Sequence, residues 1–289
     1  MDSLTHLVLG HAMGVFASGS TPAAQAGAYW GALVGNSLPD IDVPVGFLAG
    51  RGWALHRKFT HTIPGVLGLS LMAAAVITAA IPGSRMGLTF AWTLAGCIVH
   101  VLLDCHNLYG TRPLWPFSNR SFGWGVLFIM DPFMLITLGV GDVAHLAGWL
   151  STGTLQTTYA VNGLYILGRW LAWAILRKRM NAPGVVRFTM APYFLFWRYL
   201  RETDNAMEYG RVKLLTGSLK PLESVAPARG PAVDASRLNP QVATFLHHAR
   251  YPFARVDVID QRYRVTWEDL YGRLRGRRGG VEVWIDSLG

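Results

Sequence analysis

Histidine and aspartate are the side chains of this chain with chemistry to do, and they are unevenly placed. Seven of its nine histidines lie in the first 176 residues, together with six acidic residues that are all Asp. They form short clusters: Asp2 with His6, Asp40-x-Asp42, His56-x4-His61 and His100-x3-Asp104, with Asp131 further on. Each cluster stands at or near the end of an apolar run. An ionisable side chain in a bilayer is costly and marks a functional site. A mixture of carboxylates and imidazoles is the ligand set of a hard-to-borderline divalent metal.

Each cluster also has a plainer reading. His100 and Asp104, spaced i, i+4, share one helix face, so they can reach one ion or simply hydrogen-bond to each other. Asp40 and Asp42 lie between Pro39 and Pro44. A non-helical turn there aims both carboxylates inward, or caps a helix as a solvated Asx turn. His56-Arg57-Lys58-Phe59-Thr60-His61 joins two imidazoles to two cations. The imidazoles suit a metal and the Arg57 fork suits phosphate oxygens; the plain alternative is a basic loop on lipid headgroups, the role that suits Lys58. Asp2 and His6 are again i, i+4. His11 points to another face and reads as packing. Asp131 precedes Pro132, as a helix cap or a support for a ligand. Asp142 and His145 lie toward the opposite face with no evident partner, and His247 and His248 are ordinary domain residues.

The elements that must carry these residues are apolar. The 289-residue chain is 51% hydrophobic and 15% charged, where a soluble domain carries about 25% charge. Up to Leu176 there are seven Lys/Arg and six Asp; the remainder holds nineteen Lys/Arg and eleven Asp/Glu. A bilayer span takes roughly 17–25 apolar residues. Ile63–Ile81, Leu88–Leu103 with an extension to Leu108, Tyr159–Leu176 and the more polar Val126–Leu150 all qualify. Leu4–Ala17 and Ala23–Leu38 are shorter and predict a hairpin turned at Gly19-Ser20-Thr21-Pro22. Ala26, Gly27, Gly31 and Gly35 suit close helix contact there. The prediction is an all-α polytopic bundle of about six helices, the first two short, over residues 1–180.

Loop charge orients that bundle. Arg51, Arg57, Lys58, Arg112, Arg120, Arg177, Lys178 and Arg179 fall on one side of alternating crossings, with Arg85 opposite. By the positive-inside rule the basic side is cytoplasmic, and both termini with it. The same topology brings every cluster from Asp2 to Asp131 to that face, which argues for one shared site. The start Met1-Asp2-Ser3 has no basic stretch ahead of its apolar run, so a cleaved signal peptide is not expected. Cys97 and Cys105, eight apart on one helical pattern, read as buried thiols.

Residues 181–289 predict a small, mainly β cytosolic domain. Arg255–Ile259, Arg262–Trp267 and Gly280–Ile285 alternate with the strand period. Pro240–Arg250 suits a short helix, Val185–Tyr199 a surface segment or the start of a sheet, and Ser218–Pro240 a linker or long loop. No Ser-His-Asp elbow, phosphate-binding loop or dinucleotide fingerprint is present. The net charge of +9 suits an anionic inner leaflet better than nucleic acid.

Taken in order, Met1-Asp2-Ser3-Leu4-Thr5-His6, Leu38-Pro39-Asp40-Ile41-Asp42, His56 to His61 and His100-Val-Leu-Leu-Asp104 resemble the YdjM-like family. These are inner-membrane proteins to which metal-dependent hydrolysis is ascribed. Asn107 to Arg112, Trp115-Pro116-Phe117 and Met130-Asp131-Pro132-Phe133 look like a branch with a cytosolic C-terminal domain. The resemblance covers roughly the first 180 residues. It implies a zinc-type helical site distantly similar to zinc-dependent phospholipase C, with Asp2, His6, Asp40, Asp42, His56, His61, His100 and Asp104 as metal ligands. Lys58, where the family pattern has Gly, and His106, where an apolar residue is commoner, depart from it.

Eight N/O ligands exceed one tetrahedral zinc, so two or three divalent ions are expected, zinc first and manganese as the alternative. The expected activity is a phosphoester hydrolase acting on a phospholipid or another membrane-associated phosphoester, with Asp40 or Asp42 orienting or deprotonating the water and Arg57 and Arg112 facing the phosphate. The competing reading is a metal-binding scaffold whose C-terminal domain recruits a cytosolic partner. A metal or proton transporter ranks last, since it needs polar residues that continue to the far face.

Overall fold

In a computed structural model of the chain, residues 2–50, 56, 57, 59–179, 185–190, 197–249, 251–274 and 279–286 are described. Arg51 and Lys58 lie outside these residues, as do the side chains of His247 and His248. The chain forms two compact units, residues 1–177 with 189–195, and residues 178–188 with 196–289.

The first unit is helical. Its helices are α1 (Ser3–Phe16), α2 (Pro22–Ser37), α3 (Asp42–Leu48), α4 (Ile63–Ala80), α5 (Met86–His106), α6 (Pro132–Leu146) and α7 (Thr152–Arg179). Short 3-10 turns at Leu38–Ile41 and Phe59–His61 carry the two densest polar clusters. Oxygen-bearing residues start the helices. The Thr21 hydroxyl accepts from the Ala24 N–H, Thr62 from Gly65, and Asp131 from Phe133 and Met134. Each is followed by a proline in the first turn, where its missing N–H costs nothing.

Among the described residues, α4 and α5 are the two helices long and apolar enough to cross a membrane; α1 and α6 are apolar but shorter. Of the expected helices, these two meet the length and composition of a full span. The run Val126–Leu150 is not one helix, because Asp131-Pro132 starts α6 and residues 107–130 form a loop. Large apolar side chains on α4 to α7, such as Leu71, Val76, Ile136, Val140 and Leu164, face outward, while small and polar residues share the interior with an apolar cluster of Leu103, Leu127, Met134 and Leu138. So many exposed apolar side chains suit lipid surroundings.

The tightest contact joins α2 to α5. Ala24, Ala28 and Ala32 are fully buried, and a Cβ on Gly35 would stand 2.2 Å from the Thr93 carbonyl oxygen. Gly96 answers from α5, where a Cβ would stand 2.7 Å from the Asn36 nitrogen. Only hydrogen fits at either place, and the backbones close to a distance that larger residues forbid. The seam holds the end of α2, and hence the Leu38–Ile41 turn, against α5.

The second unit has a four-stranded sheet in the order β1 (Val185–Met190), β2 (Trp197–Glu202), β3 (Met207–Val212) and β4 (Leu219–Val225). A three-stranded antiparallel sheet follows, β5 (Pro252–Ile259), β6 (Arg262–Asp269) and β7 (Gly280–Ile285). Three short helices complete it: α8 (Pro231–Ser236), α9 (Pro240–His248) and α10 (Leu270–Leu274). The alternating segments are strands, as their period predicts. The stretch Ser218–Pro240 is not a linker, since it holds β4 and α8. Val233, Val242, Val265 and Trp267 form its core, and the Trp267 indole N–H donates to Ser236 Oγ at 2.9 Å.

Alanine at Gly35 should force α2 and α5 apart and cost about 1–3 kcal/mol as overpacking. Alanine at Gly68, whose Cβ would meet nothing within 4 Å, should be tolerated. Thermal unfolding in detergent measures both; equal midpoints would contradict the seam.

Candidate metal centre

Three overlapping groups of side chains meet inside the helical unit: His6, Asp40 and His100; Asp40, His56 and His61; and His61, His100 and Asp104. Within each group the candidate ligand atoms lie within 4.8 Å of one another. His6, His61, His100 and Asp104 are fully buried. The residues come from the start of α1, the turn after α2, the segment before α4 and the last turns of α5, so four elements converge on one place.

Hydrogen bonds fix how the rings face. The Nδ1 of His100 lies 2.8 Å from the Asn36 backbone oxygen, which can only accept. In the neutral ring the proton is thereby assigned to Nδ1, and Nε2 keeps a bare lone pair. The Thr60 hydroxyl donates to Asp42 Oδ2, leaving its oxygen to accept from His61 Nδ1 at 2.9 Å. His61 Nε2 is then bare as well. These two nitrogens stand 3.2 Å apart. Around them lie Asp104 Oδ2, 3.4 Å from His61 Nε2, and Asp40 Oδ1, 3.4 Å from His100 Nε2.

Four acceptors thus face one another, an arrangement that repels unless a cation lies between them. Nitrogen and oxygen ligands about 2.0–2.1 Å from a tetrahedral ion stand about 3.3–3.4 Å from each other. The donor set therefore fits a divalent ion in chemistry and in spacing. His6 adds a ring stacked on His100 at 3.6 Å, with its Nε2 3.5 Å from Asp104 Oδ1.

The remaining predicted residues divide by position. Asp42 accepts from His56 Nδ1 at 2.8 Å, from the Arg57 N–H at 3.0 Å and from Thr60. Its carboxylate is placed to orient His56 and His61, the carboxylate–histidine arrangement of metal sites. Asp2 stands outside the three groups and caps α1, accepting from the Thr5 N–H at 3.0 Å and the Thr5 hydroxyl at 2.6 Å. Arg57 has φ 61, the left-handed region that costs a non-glycine residue on the order of 1 kcal/mol. In that conformation its N–H reaches Asp42 while its guanidinium reaches Asp104 at 2.9 Å, Asn107 at 3.2 Å and the Gly110 carbonyl at 3.2 Å. Arg112 is exposed on the following loop.

Other residues fall away from the centre. Asp131 caps α6 and accepts from the Tyr165 hydroxyl at 2.8 Å. His106 bonds the Leu102 carbonyl and packs against Trp124 and Trp170. His11 pairs with Tyr29. Cys97 and Cys105 are buried free thiols. Asp142 and His145 do have partners, Tyr159 and the Leu150 carbonyl, so their supposed isolation is corrected. Sequence reasoning passed over the groups that aim the ligands: Asn36, Thr60, Asn107 and Ser3, whose hydroxyl donates to Asp40 at 2.7 Å. Thr60 and Asn107 adjoin the motifs, but a backbone carbonyl such as that of Asn36 has no residue-type signal.

Charge follows the same geometry. Burial pushes the Asp40 carboxyl up, yet the adjoining imidazoles of His100 and His56 and the bond from the Ser3 hydroxyl outweigh it and hold the group well below the usual carboxylate range. Burial likewise opposes ionisation of Asp42, and its bonds to His56, His61 and Thr60 prevail. Both stay ionised at neutral pH. Burial lowers His61 to about 4 against the upward pull of Asp42, so it stays neutral, the form that ligates metal.

A helical fold whose outward faces are apolar, built around a buried His–Asp centre, defines an integral membrane protein with a candidate metal site. The chain belongs to the YdjM inner membrane protein family, whose family model matches residues 1–176. It is also similar to the "Uncharacterized protein YfhP" of Bacillus subtilis (strain 168), at 28% identity over 301 aligned residues. That likeness covers 98% of this chain and 90% of the relative, so it extends through the β-rich unit. No solved structure matches the chain.

His61 has its folded pKa lowered from the ordinary 6.5 to about 4, so the unfolded chain binds its proton first as pH falls. This contribution to stability is full above pH 6.5, is lost between 6.5 and 4, and changes no further below. The melting temperature of metal-free protein should decline across that window, less steeply in His61→Gln. Equal slopes in the two proteins would contradict the neutral, buried assignment.

Proposed function

We propose that the chain is a membrane-embedded, metal-dependent phosphoester hydrolase whose substrate class is phospholipid at the cytoplasmic face. The observation that supports it best is the meeting of two bare imidazole nitrogens and two carboxylate oxygens, His61 and His100 with Asp40 and Asp104, at separations of 3.2–3.4 Å. A divalent ion bound there supplies a coordinated water of lowered pKa and neutralises phosphate charge. His6, Asp40, His56, His61, His100 and Asp104 are the residues we assign to holding the metal. Three overlapping groups rather than one support more than one ion, with zinc or manganese matching the N/O donors.

The chain's own residues then divide the work. Asp42 holds the His56 and His61 rings in register and keeps their outward nitrogens free of protons. Asp40, ionised and partly open to solvent, is placed to accept a proton from the attacking water. Arg57 balances charge on the Asp104 side, and the exposed Arg112 is the cation that meets the phosphate from the loop. Membership of an inner-membrane family and the loop charges behind the cytoplasmic orientation favour a substrate that never leaves the bilayer.

Purified protein supplied with zinc or manganese should cleave a phospholipid phosphoester in vesicles, and His61→Ala and Asp104→Ala should abolish turnover. Asp42→Asn should weaken metal affinity about 10–100-fold, as expected for a residue that orients ligands. Bound metal with no turnover on phosphodiester or phosphomonoester lipids would overturn the hydrolase reading in favour of a metal-binding scaffold acting through residues 181–289.

A further inference from the structure

A second line of buried and half-buried polar side chains runs from the centre toward the end of the bundle where α6 stops and α7 begins. Asp142 near the end of α6 accepts from the Tyr159 hydroxyl of α7. Three residues later, His145 bonds the Leu150 carbonyl through Nδ1 at 3.0 Å. Its ring faces that of His11 on α1, with centroids 6.4 Å apart. His11 Nδ1 in turn meets the Tyr29 hydroxyl of α2 at 2.8 Å, and Asp142 lies within electrostatic range of Tyr29 and His145.

The line continues toward the centre. Tyr29 and Asn36 are seven residues apart on α2, two turns along one face and about 10.5 Å in rise. Asn36 lies against Gly10 of α1, where a Cβ would stand 3.2 Å from the Asn36 Cβ. Its backbone oxygen holds His100. Four helices thus give one polar side chain each, or two, to a file through the bundle.

The file has open hydrogen-bonding capacity. Asp142, His11 and Asn36 are 4%, 8% and 0% exposed. Yet Asp142 Oδ2, His11 Nε2 and both ends of the Asn36 amide meet no hydrogen-bonding group among the described residues. An unmet buried polar group costs about 1–3 kcal/mol, and ordered water is what usually meets it. Helix packing alone gives no reason for an acid, two phenols, two imidazoles and an amide to line up there. Polar residues aligned inside a membrane bundle are the material of proton relays.

We propose that His11, Tyr29, Asn36, Asp142, His145 and Tyr159 line a hydrated file that carries protons between the His–Asp centre and the opposite end of the bundle. Asp142 and His145 form its outer mouth, His11 and Tyr29 its waist, and Asn36 its junction with the centre. Each proton accepted at the mouth is matched by one released at the junction, so the side chains end as they began. The file stands whether or not the centre hydrolyses anything.

The test is proton flux through the full chain reconstituted in phosphatidylethanolamine–phosphatidylglycerol vesicles that enclose a pH-sensitive dye, driven by a potassium diffusion potential. Flux should exceed that of protein-free vesicles, fall about ten-fold or more in Asp142→Asn and Asn36→Leu, and persist in Met72→Ala, altered on an exposed face of α4. A wild-type rate equal to that of protein-free vesicles, or one that both file variants keep, overturns the proposal. Should either variant fail to fold, hydroxyl-radical footprinting decides on the wild type alone. Rapid oxidation of the buried His11 ring supports the hydrated file, and an unlabelled His11 overturns it.

Discussion

The bond from His100 Nδ1 to the Asn36 carbonyl, 2.8 Å long, is the constraint on which the rest of the centre depends. A carbonyl can only accept, so the bond decides which ring nitrogen carries the proton and leaves the other bare. Asp42 and Thr60 impose the same outcome on His61. Two lone pairs and two carboxylates are then held within a few ångströms of one another. Such crowding of acceptors opposes folding on its own. Its persistence is intelligible as preparation for a cation, because the field that repels the acceptors is the field that binds one.

The bundle serves this constraint through α2. A helix packed by alanine and glycine can bring its carbonyl ends to the neighbouring backbone, which bulkier side chains would prevent. The Gly35–Thr93 and Gly96–Asn36 approaches set the height of Asn36 against His100, and with it the place of the turn that bears Asp40. Apolar side chains facing outward, and small or polar ones along the α2–α5 seam and around the centre, follow from the same demand. Lipid leaves the outside little to specify, and the inside must meet its own hydrogen bonds.

Much of this was legible in the residues. The i, i+4 spacing of His100 and Asp104, the Asp40–Asp42 pair and the His56–His61 segment name most of the side chains that the fold gathers, and hydropathy placed α4 and α5. The division of labour was less legible. Asp40 and Asp42 look alike in sequence, yet one faces the nitrogens and the other holds the rings from behind, a distinction set by a 3-10 turn. Asp2 sits as suggestively beside His6 as any ligand, but the free N–H groups at the start of α1 claim it. Hydropathy also overran Asp131-Pro132, since it counts apolar residues without asking where a helix can begin. The Pro- and Ser-rich composition of residues 218–240 hid a strand that pairs with the neighbouring β3 and a helix that packs on the later sheet.

The central claim is that the buried His–Asp cluster is a metal centre, and elemental analysis of the purified full chain tests it most directly. The account predicts about two or three zinc or manganese ions per chain, lost when His61 and His100 are both replaced by alanine. A wild-type chain that carries no divalent metal, and takes up none when it is supplied, would contradict it.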